Sequence, residues 1–114
     1  MKIYGIKNCD TVKKTLNWLD QHNLKYEFHD FKKLGVEKEK LKEWAGQVGY
    51  EALLNKKGTT WKKLDPEVQN AISSEDAAFG LMQEKTSVIK RPVLEADGKI
   101  MLGYNESLLN ELIK

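Results

Sequence analysis

Signals for a strand, a helix and a second strand follow one another near the start of the chain, and this order restricts the fold more than any other feature. Residues 2–6 alternate apolar positions and are β-prone, which predicts a strand. Apolar residues then recur at helical spacing and predict a helix from about Thr11 to His22, with Asn23 as its stop. Residues 25–29 alternate again and predict a second strand. The three elements form a βαβ unit, so we expect the two strands to be parallel.

The middle of the chain predicts helices. Capping signals start two of them, at residues 65–67 (DPE) and at residues 73–76 (SSED). Before these, the stretch EKEKLKEWAGQVG carries one apolar stripe at helical spacing. That stripe comprises Leu41, Trp44, Ala45 and Val48.

The last part of the chain predicts a hairpin and then a helix. Two β-prone runs in KRPVLEADGKIMLGYN flank Asp97-Gly98, which is a strong signal for a tight hairpin turn. Asn105 follows as the cap of a final helix. The side chains expected on the buried side of that helix are Leu108, Leu109, Leu112 and Ile113.

These elements together predict an α/β protein with a thioredoxin-like fold. The first βαβ unit and the final ββα segment supply a four-stranded mixed sheet and two helices, the inventory of that fold. We therefore expect a single domain over residues 1–114. Its thioredoxin-like core would comprise residues 1–32 and 89–114, with residues 33–88 inserted as a helical sub-domain.

Composition excludes several classes of function. The net charge of +2 leaves no concentrated basic face for direct nucleic-acid binding. No apolar run approaches the roughly 20 residues that span a bilayer, and the N-terminus lacks a secretion signal. The one cysteine excludes an intrachain disulfide and fits a reducing cytosol. We therefore expect a cytoplasmic protein, monomeric, with no membrane partner.

Cys9, the one cysteine, falls between the first strand and the first helix. If Asn8 or Cys9 lies near the N-cap, the thiol faces the backbone N–H groups of Asp10 and Thr11 and the positive end of the helix dipole. Both stabilise a thiolate, which is the nucleophilic form. The alternative is a buried cysteine that serves as a small hydrophobe. Its position at a helix N-terminus favours the reactive thiol.

Arg91-Pro92 opens the hairpin and is the second candidate for the site. In thioredoxin-like folds a cis-proline at this point lies beside the active cysteine. Arg91 would then lie near Cys9, where its planar guanidinium could stabilise the thiolate or hold an anionic substrate. The alternative is a solvated arginine at a strand end. A metal site is not expected, because the chain has no second cysteine and no suitable third ligand; His22 is instead expected to cap helix carbonyls.

Four separated motifs stand in the order in which the ArsC-like family has them: YGIKNCDTVKK, FHDFKK, LLNKKGTTWKKL and IKRPVLE. From residue 4 to residue 112 the chain resembles this family, which includes glutaredoxin-coupled arsenate reductases and Spx-type transcription regulators, and it is most similar to the YffB-like branch. The resemblance implies a thioredoxin-like fold with a helical insertion. It also implies that Cys9 is the redox thiol and that Arg91 precedes a cis-Pro92 close to it.

Four positions depart from the patterns within this family. Arsenate reductases carry histidine where this chain has Gly5, and arginine where it has Asn55 and Tyr104, so that Arg91 alone remains of three anion-binding arginines. Each lost charge-assisted pair costs on the order of 1.5–3 kcal/mol, which argues against arsenate as the substrate. Val12 replaces the second cysteine of the Spx type and removes its disulfide switch.

The sequence therefore predicts, first, a glutathione-dependent monothiol oxidoreductase. The Cys9 thiolate would form a mixed disulfide that an external thiol resolves, with glutathione as co-substrate and no bound cofactor. Arg91 would act at the sulfur with Cys9. The residues expected to contact the sulfur or the substrate are Asn8, Asp10, Thr11 and Pro92.

Two alternatives stay open. An Spx-like regulator would bind RNA polymerase through this fold, with Cys9 as a sensor or a relic. An arsenate reductase with a reduced anion site would work with glutathione and glutaredoxin.

Overall fold

The computed structural model describes residues 1–113 and divides the chain into two compact units. The first unit is formed by Met1–Leu34 and by the residues from Arg91 onward, and the second by Gly35–Lys90. The helices, in chain order, are α1 (Asp10–Gln21), α2 (Phe31–Leu34), α3 (Lys38–Val48), α4 (Tyr50–Leu53), α5 (Thr59–Lys62), α6 (Pro66–Ala71), α7 (Glu75–Glu84) and α8 (Glu106–Asn110). Short 3₁₀ turns cover Thr86–Val88 and Glu111–Ile113.

A mixed sheet of four strands forms the first unit, as the thioredoxin-like prediction requires. The strands are β1 (Lys2–Gly5), β2 (Glu27–Asp30), β3 (Val93–Ala96) and β4 (Lys99–Leu102), and their order is β2-β1-β3-β4. β1 pairs in parallel with β2, which confirms the βαβ prediction, and antiparallel with β3. Because Tyr4 faces Val93 across this second pairing, the end of β1 lies beside the beginning of β3.

Helix α1 begins and ends at the residues that local chemistry favours. Cys9 is its N-cap in an extended conformation (φ −98°, ψ 123°). Beyond its last turn Asn23 adopts φ 55°, the left-handed conformation that asparagine tolerates. His22 Nδ1 lies 2.8 Å from the carbonyl oxygen of Trp18, so the predicted capping of a helix carbonyl is confirmed. The His22 ring also stacks on Trp18 with 3.9 Å between centroids.

An apolar cluster in the first unit comprises the buried residues Ile3, Trp18, Leu19, Leu94 and Leu109. The hairpin between β3 and β4 turns at Asp97 (φ 53°) and Gly98 (φ 77°). Two successive left-handed residues are the requirement of a type I′ turn, as the Asp-Gly pair predicts.

The final helix differs from its prediction. Only Leu109 of the four expected side chains is fully buried, whereas Leu108 is 44% exposed and Ile113 is 48% exposed. Adjacent residues on a helix point about 100° apart, so α8, with Leu109 turned toward the sheet, directs Leu108 away from that face. The helix also ends at Asn110 and continues as a 3₁₀ turn, which shifts the positions after it.

The second unit consists mostly of helices, packed around the fully buried Trp44. Ser74 caps α7 by accepting a hydrogen bond from Ala77 N–H at 3.3 Å. Val48, expected in the buried stripe of α3, is 36% exposed. An isolated antiparallel bridge between Leu54 and Ile89, which the sequence did not predict, joins the residue after α4 to the last residues of this unit. Nowhere in residues 1–113 is there a helix with the length and apolar character needed to cross a membrane.

Candidate active site

Cys9 lies in a tight connection between β1 and α1. Its N–H donates to the carbonyl oxygen of Ile6 at 3.2 Å, and its own carbonyl oxygen accepts from Lys13 N–H at 3.0 Å. The first bond closes the turn and the second is the first hydrogen bond of α1. The thiol is therefore held at the helix N-terminus, partly exposed, as the sequence predicts for a reactive cysteine.

The environment of the sulfur favours the thiolate. Burial raises the pKa of the Cys9 thiol, but the backbone N–H of Val12, the guanidinium of Arg91 and the backbone N–H of Thr11 outweigh burial and lower the pKa below its ordinary value. Arg91 acts both by a hydrogen bond and by its charge. The Cys9 side chain makes no capping hydrogen bond to the backbone N–H groups of α1. The N–H dipoles still stabilise a negative sulfur, because a charge–dipole interaction extends beyond hydrogen-bonding distance.

Arg91 and Pro92 reach Cys9 through the pairing of β3 with β1. The Arg91–Pro92 peptide bond is cis, and Pro92 is buried while Arg91 is partly buried. The Pro92 carbonyl oxygen accepts from Gly103 N–H at 2.9 Å, which ties this end of β3 to the end of β4. Of the residues that the sequence singled out, the structure therefore brings Arg91 to the Cys9 thiol, with Pro92 next to Arg91 in the chain.

The remaining candidates lie on the exposed side of the turn. Asn8, Asp10 and Thr11 are exposed. Thr11 contributes its backbone N–H to the sulfur, and its carbonyl oxygen accepts from Thr15 Oγ1 at 2.9 Å. Contacts of Asn8 and Asp10 with a substrate stay a prediction.

Gly5 and Val12 form a packed pair behind the cysteine. A Cβ atom on Gly5 would lie 2.8 Å from Cγ2 and 3.3 Å from Cγ1 of Val12, whose side chain is completely buried. The sequence treated Gly5 as a missing histidine and Val12 as a missing cysteine, two separate departures. Their proximity could not be read from the chain, because it depends on how α1 packs against β1.

The other two departures also occupy defined environments, each within its own unit. In the first unit, Lys14 Nζ lies 4.6 Å from the centre of the Tyr104 ring, which is cation–π distance. In the second unit, the amide Nδ2 of Asn55 lies 2.7 Å from the point where a Cβ of Gly58 would stand. Neither Tyr104 nor Asn55 supplies the charge of an arginine.

Two further features bear on what the chain can bind. Within the part of the chain that the structure describes, no group of three or more His, Cys, Asp or Glu side chains is placed to hold a metal ion.

A cleft of about 480 Å³ is lined by the β3–β4 hairpin and by α8 with its 3₁₀ extension, including Ile100, Met101, Leu108 and Leu112. This cleft contains none of the candidate site residues.

Comparison with known proteins identifies a family and solved structures that this chain resembles. The family model described as "ArsC family" matches residues 4–112. A solved structure of a protein called YFFB is 42% identical and superposes with a TM-score of 0.91, covering 96% of each chain. A solution structure of an arsenate reductase (ArsC) related protein from Brucella melitensis is 44% identical, with a TM-score of 0.77, and covers 99% of this chain and 93% of that chain.

A third relative has a regulatory name. The regulatory protein MgsR from Bacillus subtilis is 27% identical over 117 aligned residues, which span 100% of this chain and 90% of MgsR. Proteins named for reductase chemistry and for regulation therefore both resemble the chain over almost its entire length.

Proposed function

Since the chain belongs to the ArsC family, we propose that it is a monothiol thiol–disulfide oxidoreductase that uses the Cys9 thiolate as its nucleophile. The observation that carries this proposal is the position of the one cysteine, at the N-cap of α1 with Arg91 as a hydrogen-bonding partner. A cysteine serving only as a packing residue needs neither a helix N-terminus nor a guanidinium. Both features increase the thiolate fraction at neutral pH.

The reaction consists of two thiol–disulfide exchanges. The Cys9 thiolate attacks one sulfur of a disulfide, forms a new S–S bond and releases the other sulfur as a thiolate, which takes up a proton. A second thiolate from solution then attacks the mixed disulfide and releases Cys9 as a thiolate. Over both exchanges one sulfur of the substrate disulfide is reduced to a thiol, and the other leaves in a disulfide with the external thiol, whose sulfur is oxidised; Cys9 returns unchanged.

Glutathione is the external thiol that we propose. The chain has one cysteine, so resolution from within the chain is not possible and an external thiol must supply it. Arg91 would stabilise the Cys9 thiolate and contact the anionic co-substrate, since a guanidinium binds carboxylates through two parallel hydrogen bonds. Pro92 would line the substrate side of the sulfur.

Incubation with oxidised glutathione, followed by intact-mass measurement, tests this function. We expect wild-type protein to gain the mass of one glutathionyl group and to lose it again when reduced glutathione is added. Cys9→Ser is the matched control and should stay unmodified. Wild-type protein that gains no mass, or an adduct that reduced glutathione does not remove, would contradict the proposal.

A regulatory function is the second candidate, and the full-length match to MgsR favours it. Here the fold would present a surface to RNA polymerase, and Cys9 would be a sensor or have no function. Gel filtration of the chain with purified RNA polymerase tests this directly. Co-elution that Cys9→Ser retains would favour the regulator; separate elution of both proteins would exclude stable binding.

Arsenate reduction is the third candidate, supported by the ArsC-related protein from Brucella melitensis. Three positions argue against it. Val12 fills the space beside Gly5, and neither Asn55 nor Tyr104 provides a cation for an oxyanion. An assay with arsenate, glutathione and glutaredoxin decides the question, and we expect no arsenite above the level of Cys9→Ser.

A further inference from the structure

We propose that Val12 is a positioning residue for Cys9: its side chain, seated on Gly5 of β1, holds the first turn of α1 so that the N–H groups of Thr11 and Val12 face the sulfur. The functional importance of this arrangement rests on the proposed function, because a nucleophilic thiolate needs N–H donors that are held in place. The arrangement itself is geometric and can be measured without any substrate.

The contact between Gly5 and Val12 leaves no space for a side chain at position 5. The 2.8 Å between Val12 Cγ2 and an added Cβ on Gly5 is shorter than Cβ contacts in real proteins. Valine is β-branched and adopts essentially one χ1 rotamer in a helix, so its methyl groups cannot rotate away. A side chain at position 5 therefore requires Val12, and with it the first turn of α1, to shift away from β1.

Space, and not backbone conformation, is the reason for glycine at this position. Positive φ angles occur at Gly35, Gly49, Gly98 and Gly103, where a side chain would strain the backbone. Gly5 is part of a regular strand, paired with Asp30 of β2. Alanine fits the strand conformation of position 5, so the obstacle to it is the short contact with Val12 Cγ2.

The same residue supplies both the packing and a donor to the sulfur. Val12 is the third residue of α1, and its backbone N–H is one of the two that lower the pKa of Cys9. Between Gly5 and Cys9 lie only residues 6–8, and the Cys9 N–H to Ile6 hydrogen bond closes this turn. A shift of Val12 away from β1 therefore changes the position of its N–H relative to the sulfur, with little slack in the connection to absorb it.

Titration of the Cys9 thiol tests the proposal, with the rate of iodoacetamide alkylation followed as a function of pH. We expect Gly5→Ala to raise the pKa of Cys9 and to slow alkylation at neutral pH, by about threefold for each half unit of pKa. The double variant Gly5→Ala/Val12→Ala removes the clash and should titrate closer to wild type than Gly5→Ala does. Urea denaturation of the same variants separates the two explanations, because general destabilisation lowers the free energy of unfolding without changing the thiol pKa of the folded protein.

Gly46→Ala is the matched control. Gly46 lies within α3, and a Cβ there would meet no atom within 4 Å. It should leave the alkylation profile unchanged. If Gly5→Ala does not fold, Val12→Ala alone provides the test, since loss of both methyl groups leaves the first turn unsupported and should also raise the pKa.

The outcomes separate this inference from the proposed function. The wild-type pKa of Cys9 could be low while folded Gly5→Ala and Val12→Ala proteins have the same pKa. That result would overturn the role of Val12 and would leave the proposed function unaffected. A wild-type Cys9 with the pKa of an ordinary thiol, about 8.5, would contradict both. Alkylation that slows in Gly5→Ala and recovers in the double variant would support the positioning role.

Discussion

The guanidinium of Arg91 lowers the pKa of the Cys9 thiol, by a hydrogen bond and by its charge, although the two residues lie far apart in the sequence. β3 begins directly after Pro92 and pairs antiparallel with β1, whose end leads into the turn that carries Cys9. The strand pairing therefore places the guanidinium of Arg91 beside the N-terminus of α1. This relationship gives the cysteine its electrostatic environment, and it leads to the first prediction.

Arg91→Met should raise the pKa of Cys9 and slow its alkylation at neutral pH. The substitution keeps much of the apolar stem but removes both the hydrogen bond and the positive charge that lower the pKa. Lys90→Met is the control, because Lys90 is an exposed neighbouring cation. Equal alkylation profiles for Arg91→Met and wild type, across about pH 5 to pH 10, would show that Arg91 does not influence the Cys9 thiol.

The stability of the wild type relative to Cys9→Ser should increase with pH. A thiol whose pKa is lower in the folded state than in the unfolded state adds stability that is complete above the unfolded value, about 8.5. That contribution is lost as the pH falls through the folded pKa. Urea denaturation of both proteins at several pH values measures the difference in the free energy of unfolding. A difference that does not change with pH would show that the folded and unfolded pKa values are equal.

Val12→Cys should convert the site into an internal dithiol. The introduced thiol would stand three residues after Cys9 at the beginning of α1, and residues three apart on a helix are neighbours. After oxidation we expect a Cys9-linked intrachain disulfide, and the glutathione adduct should no longer accumulate because the second thiol displaces it. Intact mass and thiol counting detect both changes.

Asn17→Cys serves as the control for that experiment. Asn17 is exposed on α1, about 12 Å along the helix axis from Cys9. It should keep two titratable thiols under the same oxidation. Persistence of a stable glutathione adduct in Val12→Cys would mean that the thiol at position 12 cannot reach the sulfur of Cys9.

Ser74→Ala should destabilise the protein by about 1 kcal/mol, the usual cost of losing an N-cap. Ser74 accepts a hydrogen bond from Ala77 N–H at the start of α7. Asp65→Ala is the matched comparison, since Asp65 precedes α6 without a side-chain capping bond and its loss should cost less. Chemical denaturation of the two variants gives the order directly, and an equal or larger loss for Asp65→Ala would contradict it.

Some of these features follow from short stretches of sequence. The Asp97-Gly98 turn, the caps at Ser74 and Asn105, and the stop at Asn23 each depend on residues a few positions apart. Leu108 and Ile113 show where such reasoning is wrong. Their apolar character suggested burial, but the sheet covers one face of α8 and Leu109 occupies it.

The sequence by itself determined the order and type of the elements around the site, and it placed Cys9 at the start of α1. Local hydrogen bonding, backbone conformation and side-chain alternation act between near neighbours, so they can be read along the chain. The proximity of Arg91 to Cys9 was expected from the predicted fold and the family resemblance, not from any local pattern, and only the tertiary structure decided that Val12 fills the space beside Gly5. Both contacts depend on the pairing of β3 with β1 and on the packing of α1 against β1, which are interactions across space that no local pattern specifies.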